Sequence, residues 1–145
     1  MNPKYTSVFF LVIVMLCVLF LGQNEAIFST NYVGIIIQTF SALLMIWARI
    51  TFGLRSFHGA ANTTKGELVT KGPYKWLRHP IYASLIYFFW AGVLSHISVE
   101  TIAAVIIITA GLIGRFLLEE KFLLVAYPQY VTYAAQTKRI IPFVA

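Results

Sequence analysis

The sequence predicts an all-α integral membrane protein with about four transmembrane helices and a pocket formed by one loop and the tail. Three observations support this. The 145 residues are 59% hydrophobic and only 11% charged, whereas soluble domains are about 25% charged. The mean hydropathy is +0.80. Long stretches without charge alternate with short segments that hold the basic residues. The length suits a single membrane domain, 1–145.

Four stretches carry no charged residue: 5–24, 26–48, 81–99 and 101–114. The first three have about the 17–25 residues that a helix needs to cross a bilayer. The fourth reaches that length if its helix continues through Arg115 to Leu118. The first stretch could be a signal peptide, but it exceeds the usual apolar region of about 7–15 residues and lacks a good cleavage site. We therefore expect it to be retained as a membrane helix.

The 11 basic residues are distributed on one side of this arrangement. Lys4 precedes the first stretch, and the two loops opposite carry only Glu25 and Glu100. Cytoplasmic segments are enriched in Lys and Arg, so we expect four spans, with both termini and the active site facing the cytoplasm. The net charge of +6 then reflects topology and not nucleic-acid binding. The other ten basic residues lie between the second and third stretches or after the fourth: Arg49, Arg55, Lys65, Lys71, Lys75, Arg78, Arg115, Lys121, Lys138 and Arg139.

The composition excludes several kinds of catalytic and metal site. The chain has no aspartate, so it cannot form a Ser-His-Asp triad, and its single cysteine, Cys17, excludes a CxxC zinc or redox site. His58 and His96 have no partner at metal-ligand spacing, so we predict no metal site. Chemistry is therefore expected in the connection 49–80 and in the tail 119–145.

The connection ends with a motif that can bind an anion. Residues 67–70 could form a short extended piece and 71–74 a turn, and Pro80 suits the first position of the third helix. A helix N-terminus carries free N–H groups and partial positive charge, and Arg78 and His79 add donors beside it. Alternatively, the basic and aromatic residues of this segment only anchor the helix at the lipid headgroups.

The end of the fourth stretch places one arginine and two acids close to the membrane. Arg115 begins inside the apolar zone and is a functional candidate, although it could extend to the interface. Glu119 follows at i+4 and shares its helix face, whereas Glu120 points about 140° away. Either the acids serve different tasks, or Arg115 and Glu119 form a surface ion pair with Glu120 solvated.

The tail contains several tyrosines close to Pro128. Pro128 can open a short helix that places Tyr130 and Tyr133 on one face, as in an interfacial aromatic belt. Earlier in the chain, Gly111 and Gly114 are spaced i, i+3, which we expect to allow close helix packing.

Together these motifs resemble the isoprenylcysteine carboxyl methyltransferase family. The resemblance rests on Gly-Pro-Tyr-Lys-Trp-Leu-Arg-His-Pro-Ile-Tyr at 72–82, on Glu119-Glu120, and on Tyr-Pro-x-Tyr-x-x-Tyr followed by Arg-Ile-Ile-Pro-Phe. It spans 52–143, a methyltransferase-like core that follows an N-terminal helical pair, 1–51. It departs at Ala83-Ser84, where family members often have a glycine.

The resemblance implies a membrane enzyme that uses S-adenosylmethionine to methylate the carboxyl group of an isoprenylcysteine-like substrate. Its partners would be a lipophilic or prenylated acceptor and membrane lipids. It implies that Arg115 holds the acceptor's carboxylate and that Glu119 holds the methionine portion of the cofactor. The other cofactor contacts that it implies are Glu67, Leu68, Val69, Tyr74, His79, Pro80, Ile81 and Tyr82.

Three alternatives remain open. NADPH-dependent membrane sterol reductases look similar in this region but commonly have Asn where Ile81 stands. Phospholipid methyltransferases, which methylate a lipid amine, resemble the chain less at His79. A membrane scaffold without activity would use Arg115 and Glu119 only as a packing ion pair.

Overall fold

The computed structural model describes residues 3–53 and 67–142, and the regular elements in these ranges are helical apart from one isolated bridge. A short 3-10 helix, Gly72–Lys75, precedes the third α-helix. The predicted all-α fold class is confirmed, whereas the division at residue 51 stays a prediction. Arg55, His58 and Lys65 lie outside the described residues. The five α-helices are α1 Pro3–Gln23, α2 Tyr32–Phe52, α3 Pro80–Val93, α4 Val99–Ala126 and α5 Tyr130–Gln136.

Helices α1 to α4 pack as two pairs that are joined through α3 and α4. Helix α1 packs against α4, α2 packs against α3, and α3 contacts α4. The core between them is aliphatic and aromatic, and many side chains on the outer faces of α1 and α2 remain exposed, as lipid-facing helices require. Buried residues at the centre of this core are Leu21, Ile86, Phe89, Val105, Ile108 and Leu112.

Glycines set the distance between α1 and α4. A Cβ atom on Gly111 would lie 2.7 Å from Val14, and one on Gly114 would lie 2.8 Å from the ring of Phe10. Neither distance is sterically acceptable, so larger residues at these positions would force the helices apart. The expected packing role of this glycine pair is confirmed.

A buried glutamine joins α2 to its neighbours at the end of the bundle that holds the α1–α2 and α3–α4 turns. The Gln38 side-chain oxygen accepts from the Ser29 N–H at 3.0 Å. Its Nε2 donates to the carbonyl oxygens of Ile27, at 2.7 Å, and Phe88, at 3.2 Å. Because Gln38 is only 7% exposed, it satisfies polar backbone groups where water cannot.

The predicted lengths of the last two spans need correction. Helices α1, α2 and α4 are long and apolar enough to span a membrane, but α3 has only 14 residues, about 21 Å at 1.5 Å per residue. It ends at Val93, and a turn reaches the cap of α4 at Ser98. Helix α4 instead continues through Arg115 and both glutamates to Ala126, so the tail begins at Tyr127 and not at position 119.

The connection and the tail meet at one end of the bundle, which we call the basic end because Arg49, Arg78 and Arg115 lie there. The backbone N–H of Arg78 donates to the Lys138 carbonyl at 2.6 Å, and the N–H of Lys138 donates to the Trp76 carbonyl at 3.1 Å. Residues 67–70, expected to be extended, have no regular secondary structure. The predicted turn at 71–74 is largely the 3-10 helix.

The tail tyrosines pack inward and do not form a belt. Tyr130 is 2% exposed, its ring lies 5.9 Å from that of Tyr133, and the Tyr133 hydroxyl donates to the Tyr74 carbonyl at 2.7 Å. The prediction that both share a helix face is correct. The belt interpretation is wrong, because the short helix α5 packs on the connection and buries this face.

Candidate active site at the basic end of the helix bundle

Aromatic rings surround His79 at the start of α3. Pro80 occupies the first position of the helix, as predicted, and His79 is its N-cap residue. The imidazole stacks on Phe116 of α4 with ring centroids 4.7 Å apart and an interplanar angle of 20°. Tyr82 meets both rings edge-on, at 5.8 and 5.9 Å. Helix α3 therefore begins inside an aromatic cluster and not at open solvent.

A carboxylate, a guanidinium and two phenols converge beside these rings. The Tyr82 side chain is close enough to interact by hydrogen bonding with both Arg115 and Glu119. Glu119 also lies within electrostatic range of His79 and of Tyr74 in the 3-10 helix. Burial, with a smaller effect from the nearby Tyr133 and Glu119, raises the pKa of Tyr74 above its ordinary value, so Tyr74 stays a neutral hydrogen-bonding group. We call Tyr74, His79, Tyr82, Arg115 and Glu119 the inner cluster.

Arg115 is buried inside the bundle. It is 6% exposed, and its Nη1 donates to the Ser7 carbonyl of α1 at 3.2 Å. Ser7 is itself fully buried. A guanidinium in this position faces the bundle interior, as functional ionisable residues in membrane helices do. The alternative that Arg115 extends to the lipid headgroups disagrees with this burial.

Glu120 is the site residue that the sequence argument missed. It is 7% exposed, and its Oε1 lies 3.4 Å from Arg78 Nη1 and 3.2 Å from His79 Nε2. Its Oε2 lies 3.2 Å from Arg139 Nη2. The helix-face argument correctly separates the two acids, but the alternative in which Glu120 is solvated is wrong. The sequence could not reveal this, because the three partners of Glu120 belong to two distant segments that come together only when the chain folds.

The backbone donors beside α3 are partly used by the tail. Arg78 and His79 donate their N–H groups to the carbonyls of Lys138 and Arg139, at 2.6 and 3.0 Å. The anion site expected from these two residues is therefore reduced, because the tail already accepts both of these hydrogen bonds. Arg78 Nε and the Tyr130 hydroxyl are buried side-chain atoms that have no hydrogen-bond partner within the described ranges.

The remaining predicted cofactor residues differ in burial. Glu67 is exposed, Leu68 and Val69 are half-buried, Pro80 is buried, and Ile81 is half-buried in the first turn of α3. Leu68 also lines a groove of 540 Å³ between the connection and α5. The structure thus brings Tyr74, His79, Tyr82, Arg115 and Glu119 together directly, and it places Leu68 in a neighbouring groove. The described residues that line this groove are mostly uncharged and able to form hydrogen bonds, and among them Lys75 carries a charge: Leu68, Thr70, Lys75, Gln129, Thr132, Tyr133, Gln136 and Thr137.

The arrangement fits a small cationic molecule with a hydrogen-bonding body. A carboxylate next to aromatic rings attracts a cation electrostatically and through the ring faces, and the hydroxyl and amide groups of the groove offer hydrogen-bond partners. Arg115 adds a buried cation that can bind a carboxylate or phosphate through two parallel hydrogen bonds.

Comparison with known proteins agrees with a membrane enzyme of this type. A family model described as phospholipid methyltransferase matches residues 29–130, a range that contains α2 to α4 and all of the inner cluster. No curated protein and no solved structure matches the chain.

Proposed function

Since the chain belongs to the phospholipid methyltransferase family, we propose that it transfers a methyl group from S-adenosylmethionine to a lipophilic acceptor at the membrane surface. The observation that carries the proposal is the inner cluster, in which Glu119 meets Tyr82 and Arg115. A family match over α2 to α4 supports methyl transfer over the reductase and scaffold alternatives.

The inner cluster offers complementary groups to such a cofactor, which supplies an electrophilic methyl group on a positively charged sulfur. We assign the cationic methionine portion to Glu119, and the rings of Tyr74, His79 and Tyr82 would stabilise positive charge nearby. The backbone groups and side chains of 67–69 and 80–81 would complete the contacts with the cofactor. This assignment agrees with the carboxylate's position between two tyrosines and an arginine.

For the acceptor, we propose a lipid that carries a carboxylate, of the isoprenylcysteine type. Arg115 is the group suited to it, because a buried guanidinium can hold a carboxylate with two parallel hydrogen bonds. An ionised carboxylate needs no general base, so alignment and exclusion of water are what the protein must provide. The α1–α4 interface supplies both, since it buries Arg115 against Ser7.

A lipid amine is the second candidate acceptor, and it is equally consistent with the family match. In this case Arg115 would hold the phosphodiester of the headgroup. An ammonium group must lose a proton before it can attack, and Glu119, which shares the helix face of Arg115, would accept that proton. The two candidates therefore place different demands on the same two residues.

One assay separates the two acceptors. The purified full chain in lipid nanodiscs is incubated with S-adenosylmethionine labelled in its methyl group, together with either farnesylcysteine or phosphatidylethanolamine. Label that alkali releases as volatile methanol identifies a methyl ester, whereas alkali-stable label identifies an N-methyl group. If neither acceptor is labelled and the protein does not bind the cofactor, the methyltransferase proposal is wrong.

A further inference from the structure

The environment of His79 suggests that its position is set by a residue outside the inner cluster. Its Nε2 lies 3.2 Å from Glu120 Oε1, its backbone N–H donates to the Arg139 carbonyl at 3.0 Å, and its ring lies flat on Phe116. An ionised carboxylate can only accept hydrogen bonds. Glu120 therefore accepts a hydrogen bond from Nε2–H, and an imidazole that carries a single proton holds it on Nε2 and leaves Nδ1 as the acceptor.

We infer that Glu120 is a positioning residue, which orients His79 for cofactor binding and couples that orientation to the C-terminal segment 137–140. This inference rests on the proposed binding of S-adenosylmethionine by the inner cluster. We assign Glu120 itself no contact with the cofactor, so it acts through His79, which it contacts.

The charges around Glu120 show why a neutral residue could not replace it. Its two carboxylate oxygens contact Arg78, His79 and Arg139 within 3.4 Å. With Gln at position 120, an amide NH2 replaces one of the two oxygens and faces either Arg139 or the pair Arg78 and His79, from which it cannot accept a hydrogen bond. Because the amide can donate to Nε2 as well as accept from it, it no longer fixes the tautomer of the imidazole, although the size of the side chain is nearly unchanged.

Arg139 links the C-terminal segment to this contact because it binds both Glu120 and His79. Its guanidinium pairs with Glu120, while its carbonyl accepts from the His79 N–H. The next residue, Ile140, accepts a hydrogen bond from the Tyr87 hydroxyl of α3. Since the Arg139 side chain is 48% exposed, replacing it with Gln removes the ion pair while keeping the backbone acceptor and the core.

The test is a double-mutant cycle on the full chain in detergent. The dissociation constant of S-adenosylmethionine is measured by titration calorimetry for the wild type, Glu120→Gln, Arg139→Gln and the double variant. Lys121→Gln is the matched control, because it removes an exposed charge one residue away on the same helix. We expect Glu120→Gln to weaken binding by about tenfold to a hundredfold, the range of one charge-assisted hydrogen bond.

Positioning further predicts that the double variant binds no more weakly than Glu120→Gln, because both changes act through one contact. Melting temperatures of all variants are measured in parallel. The inference is overturned if the fold-losses in affinity of the two single variants multiply in the double variant. It is also overturned if affinity falls only in proportion to the melting temperature, since both results would indicate general structural support.

A spectroscopic readout does not depend on the cofactor. In the ¹⁵N NMR spectrum of the histidine-labelled protein, assigned with His79→Gln, the His79 ring nitrogens should show the Nε2-protonated tautomer. The Glu120→Gln variant should show a mixture. If the wild type binds no S-adenosylmethionine but the tautomer of His79 still differs between the wild type and Glu120→Gln, the proposed function fails and the Glu120–His79 contact stands. If the wild type binds the cofactor and Glu120→Gln changes neither affinity nor tautomer, the inference alone fails.

Discussion

Replacing Arg115 with lysine tests whether this residue holds the acceptor. Lysine keeps the positive charge and can still donate to the Ser7 carbonyl, which Arg115 Nη1 contacts at 3.2 Å. It cannot form the planar pair of hydrogen bonds by which arginine holds a carboxylate or phosphate. The substitution therefore removes the geometry of recognition while it leaves the charge in place.

The expected effect is large on turnover and small on cofactor binding. A misplacement of about 1 Å at the reacting centre can cost on the order of a hundredfold in rate. Because Arg115 is 6% exposed, the lysine ammonium cannot use bulk water to adopt another position. We expect turnover in the labelled-methyl assay to fall by about a hundredfold. The dissociation constant of S-adenosylmethionine should change by less than about threefold, since we assign the cofactor to other residues.

The control measurement is the melting temperature in detergent, which reports whether the α1–α4 contact survives. Lys121→Arg is the control substitution, because it exchanges the same two residue types in the reverse direction at an exposed position of α4. It should leave turnover and the dissociation constant of S-adenosylmethionine unchanged. Turnover near the wild-type rate in Arg115→Lys would refute the acceptor role and leave Arg115 as a packing residue between α1 and α4.

Four further outcomes are expected. Glu119→Gln should weaken S-adenosylmethionine binding by about tenfold to a hundredfold in calorimetry, because it removes one charge-assisted hydrogen bond; unchanged affinity would contradict our assignment of this carboxylate. Gln38→Leu should lower the free energy of unfolding by about 1–3 kcal/mol, measured by denaturant titration in detergent, with turnover preserved because the site lies at the other end of the bundle. Burial raises the pKa of Tyr133 to about 12. The neutral phenol therefore stabilises the folded state below pH 10, and this contribution is lost as the pH rises to 12. Tyr133→Phe should be less stable at neutral pH and lose less stability over that alkaline range; identical alkaline profiles would contradict this. Single cysteines at Ser98 and Gln136, in a background without the native cysteine, should react with an impermeant thiol reagent from outside and from inside the cell, respectively; external labelling at position 136 would contradict the predicted topology.

The sequence was sufficient for the helical architecture because apolar stretches and charge placement report directly on burial in a bilayer. It also separated Glu119 from Glu120, since a fixed angle per residue relates side chains within one helix. The start of α3 at Pro80 followed from local chemistry in the same way.

The errors concern contacts between distant segments. Helix α4 continues past Glu119 and Glu120 because Arg78, His79 and Arg139 neutralise and bury the second acid. A charge at that position otherwise indicates the end of a span. Tyr130 was assigned to an interfacial belt because the sequence cannot show that α5 folds back onto the connection. Such tertiary pairings leave no periodic signal in a single sequence.

The shortness of α3 has a consequence for the surrounding bilayer. Its 14 residues cover about 21 Å, less than the hydrocarbon thickness of about 30 Å, while its partner α4 has 28 residues. This hydrophobic mismatch favours local thinning of the membrane beside α3, and we expect the headgroups next to His79 and Phe116 to lie closer to the bilayer centre than elsewhere. A lipid could then bring its reactive group to the inner cluster without leaving its leaflet. Turnover should accordingly depend on acyl-chain length as well as on headgroup chemistry.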